Sequence, residues 1–136
     1  MIAVTPLRVV AYVVRGGELL VFDHRDLPRA GTQVPAGRLD PGESLEQGLA
    51  RELNEEAGIG ARIVRELGQV TRDHGEKVGT YETHYFQLET DEARDSWEHV
   101  VHGDGDDAGL VFVYRFVPLT PPPELAGNQG EFLHLL

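Results

Sequence analysis

The sequence predicts an α/β fold of the α+β type, in which a mixed β-sheet lies between helices. The segment Leu7–Arg15 is β-branched and almost continuously apolar, as in a central strand with both faces buried. Several strand-like segments follow it, and one amphipathic helix over residues 44–57 interrupts them. A sheet that is buried on both faces needs a covering layer on each side, so we expect helices on both sides.

The strands are predicted in chain order from apolar runs and from the turns between them. Gly16 and Gly17 are a two-residue hairpin signal, so residues 18–25 are expected to pair with the first strand. The other predicted strands are residues 33–36, 61–72 with a bend at Gly68, 80–89, 96–101 and 110–119. Residues 124–136 are expected to form a short final helix, which Gly127 and Gly130 weaken.

The central helix carries clear signals at both ends. Asp40-Pro41-Gly42-Glu43 is a turn sequence, because proline pre-sets φ at the second position and glycine permits positive φ at the third. Ser44 and Gln47 have the spacing of a capping box. Gly58 suits the left-handed position that ends many helices. We therefore place the helix at residues 44–57.

Composition limits the class of protein. The 136 residues are expected to form one domain, residues 1–136, with a core of useful size. Asp and Glu number 23 against 12 Lys and Arg, and the net charge of −11 disfavours nucleic acid polymers and anionic membranes as partners. No apolar run is long enough to span a membrane, and the N-terminus lacks the basic start of a secretory leader. The absence of cysteine excludes disulfides and thiolate metal sites, and fits a cytoplasmic protein.

Three carboxylates share one face of the central helix. Glu52, Glu55 and Glu56 lie at i, i+3 and i+4, next to the apolar stripe that contains Leu49 and Leu53. A helical projection places Arg51 on the far side of the helix. Like charges so close are destabilising unless a cation offsets them. Oxygen ligands without cysteine favour Mg²⁺ or Mn²⁺, and such an ion suits chemistry on a phosphoryl group.

Residues 37–59 resemble the Nudix box, and the surrounding strand order also resembles that of the Nudix hydrolase family. The box consists of a glycine, five residues, a glutamate, seven residues, and then Arg-Glu-aliphatic-x-Glu-Glu-x-Gly-aliphatic. The matching positions are Gly37, Glu43, Arg51, Glu52, Leu53, Glu55, Glu56, Gly58 and Ile59. The resemblance implies an α/β/α sandwich. It also implies Mg²⁺- or Mn²⁺-dependent hydrolysis of a small molecule in which a nucleoside diphosphate is linked to another moiety.

The resemblance also implies roles for the box residues. Glu52, Glu55 and Glu56 would be metal ligands, together with the backbone carbonyl of Gly37. Arg51 would orient a carboxylate within the box. Glu43 would support the loop or reach the metal through water.

The general base varies within the family. Glu55 is one candidate, and Glu98, in the later segment 96–101, is the other. Arg25 and Arg38 flank the entry to the box and are candidate contacts for the substrate phosphates. The acidic segment at residues 102–109 is predicted to be a loop, because it lacks the distal glutamate and the flanking helices of an EF-hand.

The substrate stays open at this stage between a nucleoside triphosphate, a nucleotide sugar and a dinucleoside polyphosphate. The alternative function is a nucleotide- or metabolite-binding module on the same fold that performs no catalysis. Because relatives in the family are often homodimers, a homodimer is also possible.

Overall fold

A computed structural model describes residues 5–136 of the chain. The expectation that the N-terminus is no secretory leader concerns, in part, residues 1–4, which lie outside the described residues. One α-helix, α1 (Leu45–Ala57), is present among residues 5–136. The strands are β1 (Leu7–Arg15), β2 (Glu18–His24), β3 (Ala36–Arg38), β4 (Arg62–Asp73), β5 (Thr80–Glu89), β6 (Ser96–Val100) and β7 (Val111–Pro118).

Strand β1 lies at the centre of a mixed sheet, as its buried sequence predicts. It runs parallel to β5 along almost its whole length and forms the predicted antiparallel hairpin with β2. The described strands follow the order β4-β5-β1-β2-β7-β6. Near its start, at Arg8 to Val10, β1 pairs with β3 instead of β2. The sheet therefore divides along β1 into a β2 branch and a β3 branch, and residue 37 lies in the middle of β3.

The helix α1 packs on one face of this sheet over the larger of two apolar cores. The side chains of Leu49 and Leu53 are almost fully buried there, as the predicted stripe requires. The strand residues of this core include Val9, Ala11, Val13, Leu20, Phe22, Phe86, Leu88, Trp97, Phe112 and Tyr114. The predicted mixed sheet and its central helix are thus confirmed.

The opposite face is covered without a second α-helix, so the helix predicted at residues 124–136 is wrong. This segment consists of turns and one short 3-10 turn, Leu133–Leu135. The hydroxyl groups of Tyr12 and Tyr85 donate to the carbonyls of Gln129 and Asn128, which an α-helix would use internally. Gly127 has a φ of 58°, outside the helical region. The segment still buries Leu133 against the second core.

Several boundaries differ from the predictions by a few residues. The third strand lies at Ala36–Arg38 and not at residues 33–36, because Gln33 forms only an isolated bridge with Phe22. The predicted bend in β4 coincides with a shift of register at Glu66 and Gly68. No helix among the described residues has the length and apolarity that a membrane span requires.

Candidate active site

The acidic helix is closed at both ends, as the sequence predicts. The Ser44 side chain accepts a hydrogen bond from the N–H of Gln47, and the Gln47 side chain accepts one from the N–H of Ser44. At the other end, Gly58 has a φ of 69°, and its N–H donates to the carbonyls of Leu53 and Asn54. Capping of both ends fixes the direction in which the carboxylate-bearing face points.

Two of the three helix carboxylates are buried. Glu52 and Glu56 are 9% and 6% exposed, whereas Glu55 is half-buried. Burial raises the pKa of Glu56 well above its ordinary value, and the neighbouring Glu52 raises it further. Burial also raises the pKa of Glu52, although the charge of Arg51 opposes the rise. Two adjacent buried carboxyl groups are stable only with a proton or a cation to offset their charge.

Arg51 lies far from the apolar stripe, as the helical projection predicts, and it borders the acidic face because it is four residues before Glu55. Its Nη1 atom donates to Glu52 at 3.0 Å and to Glu55 at 3.2 Å. Residues i and i+4 are only about 40° apart around a helix, so the Arg51 guanidinium reaches Glu55 directly. Arg51 therefore lies where an orienting residue for these two carboxylates would lie.

The same guanidinium holds the loop that precedes α1. Its Nε and Nη2 atoms donate to the two carboxylate oxygens of Glu43, at 2.8 and 2.9 Å. The hydrogen bond with Arg51 lowers the pKa of Glu43. Glu43 also accepts a hydrogen bond from the backbone N–H of Asp40 at 3.0 Å. Glu43 thus supports the turn, in line with the first of the two roles expected for it.

Gly37 lies directly against the Glu52 side chain. A Cβ atom added at residue 37 would overlap the carboxylate group of Glu52, so no other residue fits without displacing it. The strand that contains Gly37 pairs with β1 at Val9. The close approach brings the backbone of residue 37 and the helix carboxylates to the same cleft, which has a volume of about 480 Å³.

The donor set in this cleft consists of oxygen atoms. Glu52, Glu55 and Glu56 line it together with the backbone of Gly37. Within residues 5–136, no three Asp, Glu or His side chains already converge as a closed metal site, and Arg51 holds two of the three carboxylates. These oxygen donors nevertheless suit a hard divalent cation, because buried carboxylates with raised pKa values are stabilised by added positive charge.

A second acidic wall was not predicted from the sequence. The loop at residues 102–109 lies across the cleft from α1, and Asp104, Asp106 and Asp107 line the cleft. At Gly103, a Cβ atom would overlap the carboxylate of Glu55. The composition correctly indicated a loop. Its position against the helix depends on a contact between distant parts of the chain, which no local pattern reveals.

Basic and aromatic side chains form the remaining rim of the cleft. Arg38, a predicted phosphate contact, lines it and donates to the hydroxyl of Tyr81 at 3.0 Å. The guanidinium of Arg8 lies 5.6 Å from the centre of the same ring. Lys77 also lines the cleft. In a chain with a net charge of −11, this rim offers an anion a local concentration of positive charge.

The structure does not place two predicted site residues among those that line the cleft. Arg25 follows the last residue of β2, and Glu98 is the middle residue of β6. The Nη1 atom of Arg25 lies 3.9 Å from Oε2 of Glu98. Both side chains are about half exposed. They therefore form a surface pair, apart from the residues that α1 brings together.

Comparison with known proteins agrees with this arrangement. The family model of the NUDIX domain matches residues 4–136. Two Bacillus subtilis (strain 168) proteins, each named "Putative 8-oxo-dGTP diphosphatase" and one of them YtkD, are 36% identical over 55 residues and 31% identical over 74 residues. The matches cover 40% and 54% of this chain, but only 36% and 45% of those proteins.

The fold also matches a solved structure described as a UDP-X diphosphatase. The TM-score is 0.69 at 17% sequence identity, and the match covers 98% of this chain and 63% of that chain. A likeness at this identity concerns the fold alone. Because the family model spans nearly the whole sequence and the fold agrees with it, the chain belongs to the NUDIX family.

Proposed function

We propose that the chain is a Mg²⁺- or Mn²⁺-dependent pyrophosphohydrolase. Its substrate would be a small molecule in which a nucleoside diphosphate is linked to another moiety. The observation that supports this most directly is the face of α1, where Glu52, Glu55 and Glu56 share one cleft and two of them are buried. A buried acidic face next to a basic rim is better explained by binding of a metal ion and a pyrophosphate group than by simple exposure to solvent.

Glu52, Glu55, Glu56 and the carbonyl of Gly37 would hold the ion. When bound, the ion supplies an acidified water and offsets negative charge on the phosphoryl group. Arg51 keeps the carboxylates of Glu52 and Glu55 in fixed orientations through its two hydrogen bonds from Nη1. The volume beside Gly37 stays free for Glu52 because glycine has no Cβ.

The chain itself would bind the phosphates and receive the proton. Arg38, Arg8 and Lys77 lie on the rim, where their charges would contact phosphate oxygens. Glu55 is the general base that we propose, because it is half-buried and lines the cleft. Glu98 is the alternative base, and it would have to move from its surface pair with Arg25 to reach the cleft.

Three substrate classes remain for the test: nucleoside triphosphates, nucleotide sugars and dinucleoside polyphosphates. The names of the two Bacillus subtilis relatives place purine nucleoside triphosphates first in the order of testing. Both relatives are more than twice as long as the matched stretch, so their named activity decides only which substrates are tested first.

The test is a panel of these three substrate classes with Mg²⁺ and with Mn²⁺, with the products separated by chromatography. We expect metal-dependent cleavage of a P–O–P bridge, with strong losses of turnover in Glu52→Gln and Glu55→Gln and wild-type turnover in Glu98→Gln. If Glu98→Gln loses the activity and Glu55→Gln keeps it, the base assignment is reversed.

The competing function is a binding module without catalysis. Tight nucleotide binding, with no product from any member of the panel, would favour the binding module over the hydrolase. Full activity in both Glu52→Gln and Glu55→Gln would overturn the site assignment.

A further inference from the structure

The last turn of α1 ends against side chains of the β6–β7 pair. The final carbonyl groups of a helix have no partners within the helix and must find them elsewhere. Here three consecutive carbonyls each accept a hydrogen bond from a different side chain of β6 or β7. The pairs are Glu55 with His99 Nε2 at 2.8 Å, Glu56 with the Tyr114 hydroxyl at 2.9 Å, and Ala57 with Trp97 Nε1 at 3.0 Å. We call Trp97, His99 and Tyr114 the carbonyl clamp.

The carbonyl clamp is rigid because its side chains pack tightly. Trp97 and Tyr114 are direct cross-strand partners, and their rings stack with centres 5.3 Å apart. Tyr114 is fully buried, and burial raises the pKa of its hydroxyl far above the ordinary value, so that the hydroxyl remains a donor. The ring of His99 packs against Gly58, where an added Cβ would lie 2.9 Å from the ring. A tight array of this kind allows little rotation of the last turn of α1.

One of these three carbonyls, that of Glu55, also binds the start of the acidic loop. The N–H of His102 donates to the carbonyl of Glu55 at 3.1 Å, so this oxygen accepts from both His99 and His102. Val101, between β6 and the loop, is buried, and its N–H donates to the carbonyl of Leu110 at 2.8 Å. The hydrogen bonds at the end of α1 therefore hold both the last turn of the helix and the start of the opposing loop.

The two acidic walls of the cleft need such a restraint. Glu55 and Glu56 on α1 face Asp104, Asp106 and Asp107 on the loop, and all of them line one cleft. Facing charges of the same sign repel, and this repulsion favours a wider separation of helix and loop. The hydrogen bonds of the carbonyl clamp act on neutral backbone groups, so they resist the separation without removing carboxylate charge from the site.

We propose that Trp97, His99 and Tyr114 are positioning residues for cation binding, acting through the backbone carbonyls of the helix that carries Glu55 and Glu56. They touch neither substrate nor ion. Their effect is to hold the helix carboxylates at a fixed distance and rotation relative to the acidic loop. This inference rests on the proposed function, because it takes the α1 carboxylates to be the cation ligands.

The test compares two tyrosine hydroxyls that are equally buried. Tyr114→Phe removes the hydrogen bond to Glu56, whereas Tyr12→Phe removes a hydroxyl that bonds Gln129 on the opposite face of the sheet. Mn²⁺ binding to the full chain is measured by electron paramagnetic resonance of the free ion, and stability is measured by urea unfolding. We expect Mn²⁺ affinity to fall roughly fivefold in Tyr114→Phe and to stay at the wild-type value in Tyr12→Phe, although both variants lose stability.

A second pair of variants keeps the test independent of how Tyr114→Phe folds. His99→Leu removes the donor to the Glu55 carbonyl, and His99→Gln retains an N–H at the same distance along the side chain. We expect weaker Mn²⁺ binding in His99→Leu and recovery in His99→Gln.

The outcomes separate the two proposals. Equal Mn²⁺ affinity in wild type, Tyr114→Phe and His99→Leu would overturn the positioning role alone. An equal loss of affinity in Tyr114→Phe and Tyr12→Phe would do the same, because it would show an effect of stability and not of position. If the wild-type chain binds no Mn²⁺, the proposed function falls together with this inference.

Discussion

Arg51 and Glu43 form a two-point ion pair across the start of the acidic helix, with Nε and Nη2 each donating to one oxygen of the carboxylate. The third nitrogen of the same guanidinium donates to Glu52 and Glu55. One arginine therefore joins the supporting loop to two of the three proposed metal ligands. Lysine has the same charge but lacks the planar arrangement of donors that such contacts need.

Arg51→Lys is expected to lower kcat by roughly 10- to 100-fold, because the carboxylates lose their fixed orientation. Steady-state kinetics of the purified variant measure this. Arg62→Lys is the matched control, because Arg62 pairs with Glu89 at the exposed end of β4 and does not line the cleft. Wild-type kcat in Arg51→Lys would show that the guanidinium has no orienting role.

Glu56→Gln is expected to change activity and stability in opposite directions. Turnover should fall more than about 100-fold, because a proposed metal ligand is lost. The free energy of unfolding near pH 8 should rise by about 1 kcal/mol or more, because a buried charge is replaced by a neutral amide. Urea unfolding without added metal measures the second effect. Glu76→Gln, in an exposed loop, should change neither quantity, and a less stable Glu56→Gln would contradict the argument.

Gly37→Ala is expected to reduce turnover at least tenfold, because the new methyl group must displace the Glu52 carboxylate. Gly17→Ala is the control, since a Cβ added at Gly17 meets no atom within 4 Å. Far-ultraviolet circular dichroism verifies that both variants keep the fold. Equal activity of the two alanine variants would show that the contact between residue 37 and Glu52 does not matter for catalysis.

His84 is expected to make stability fall as pH rises above 6.5, the ordinary pKa of its side chain. Burial alone would lower its pKa, but hydrogen bonds with Glu66 and Glu82 outweigh burial and raise the pKa above the ordinary value of 6.5. A group whose pKa is raised by folding stabilises the protein below its unfolded-state pKa, and this contribution is lost as pH rises through the folded-state pKa.

The measurement is urea unfolding at a series of pH values from about 5.5 to about 8.5, in wild type and in His84→Asn. The difference in stability between the two proteins should be largest at the acidic end and should decline as pH rises. Nuclear magnetic resonance titration of the imidazole gives the folded-state pKa directly. A constant difference across the series would show that His84 contributes no protonation-linked stability.

The local parts of this fold could be predicted from the sequence because their signals are local. The capping residues Ser44 and Gly58 mark the ends of α1 by their own backbone chemistry. The apolar run of β1 and the glycines after it predict the hairpin for the same reason. The spacing of Glu52, Glu55 and Glu56 predicted one acidic face, and all three line one cleft.

The parts that could not be predicted depend on pairing between distant residues. The carbonyls of Asn128 and Gln129 accept from tyrosines of β5 and β1, and this competition removes the final helix. Asp107 lines the cleft because the chain after β6 packs against α1. The residues next to Asp107 in the sequence do not indicate this contact. Glu98, by contrast, was selected for its position in the chain, and the strand directs it to the surface.

The carbonyl clamp has a consequence for the order in which the molecule folds. The residues that close α1 at its C-terminal end come 40 to 58 positions later in the chain than the carbonyls they bind. Closing loops of this length costs entropy that is recovered only when β6 and β7 pair and pack. During synthesis, the residues of the acidic helix therefore emerge long before the side chains that hold its last turn. The cleft is completed only after Tyr114 has emerged from the ribosome, so cation binding is expected to be among the last properties that a newly made chain acquires.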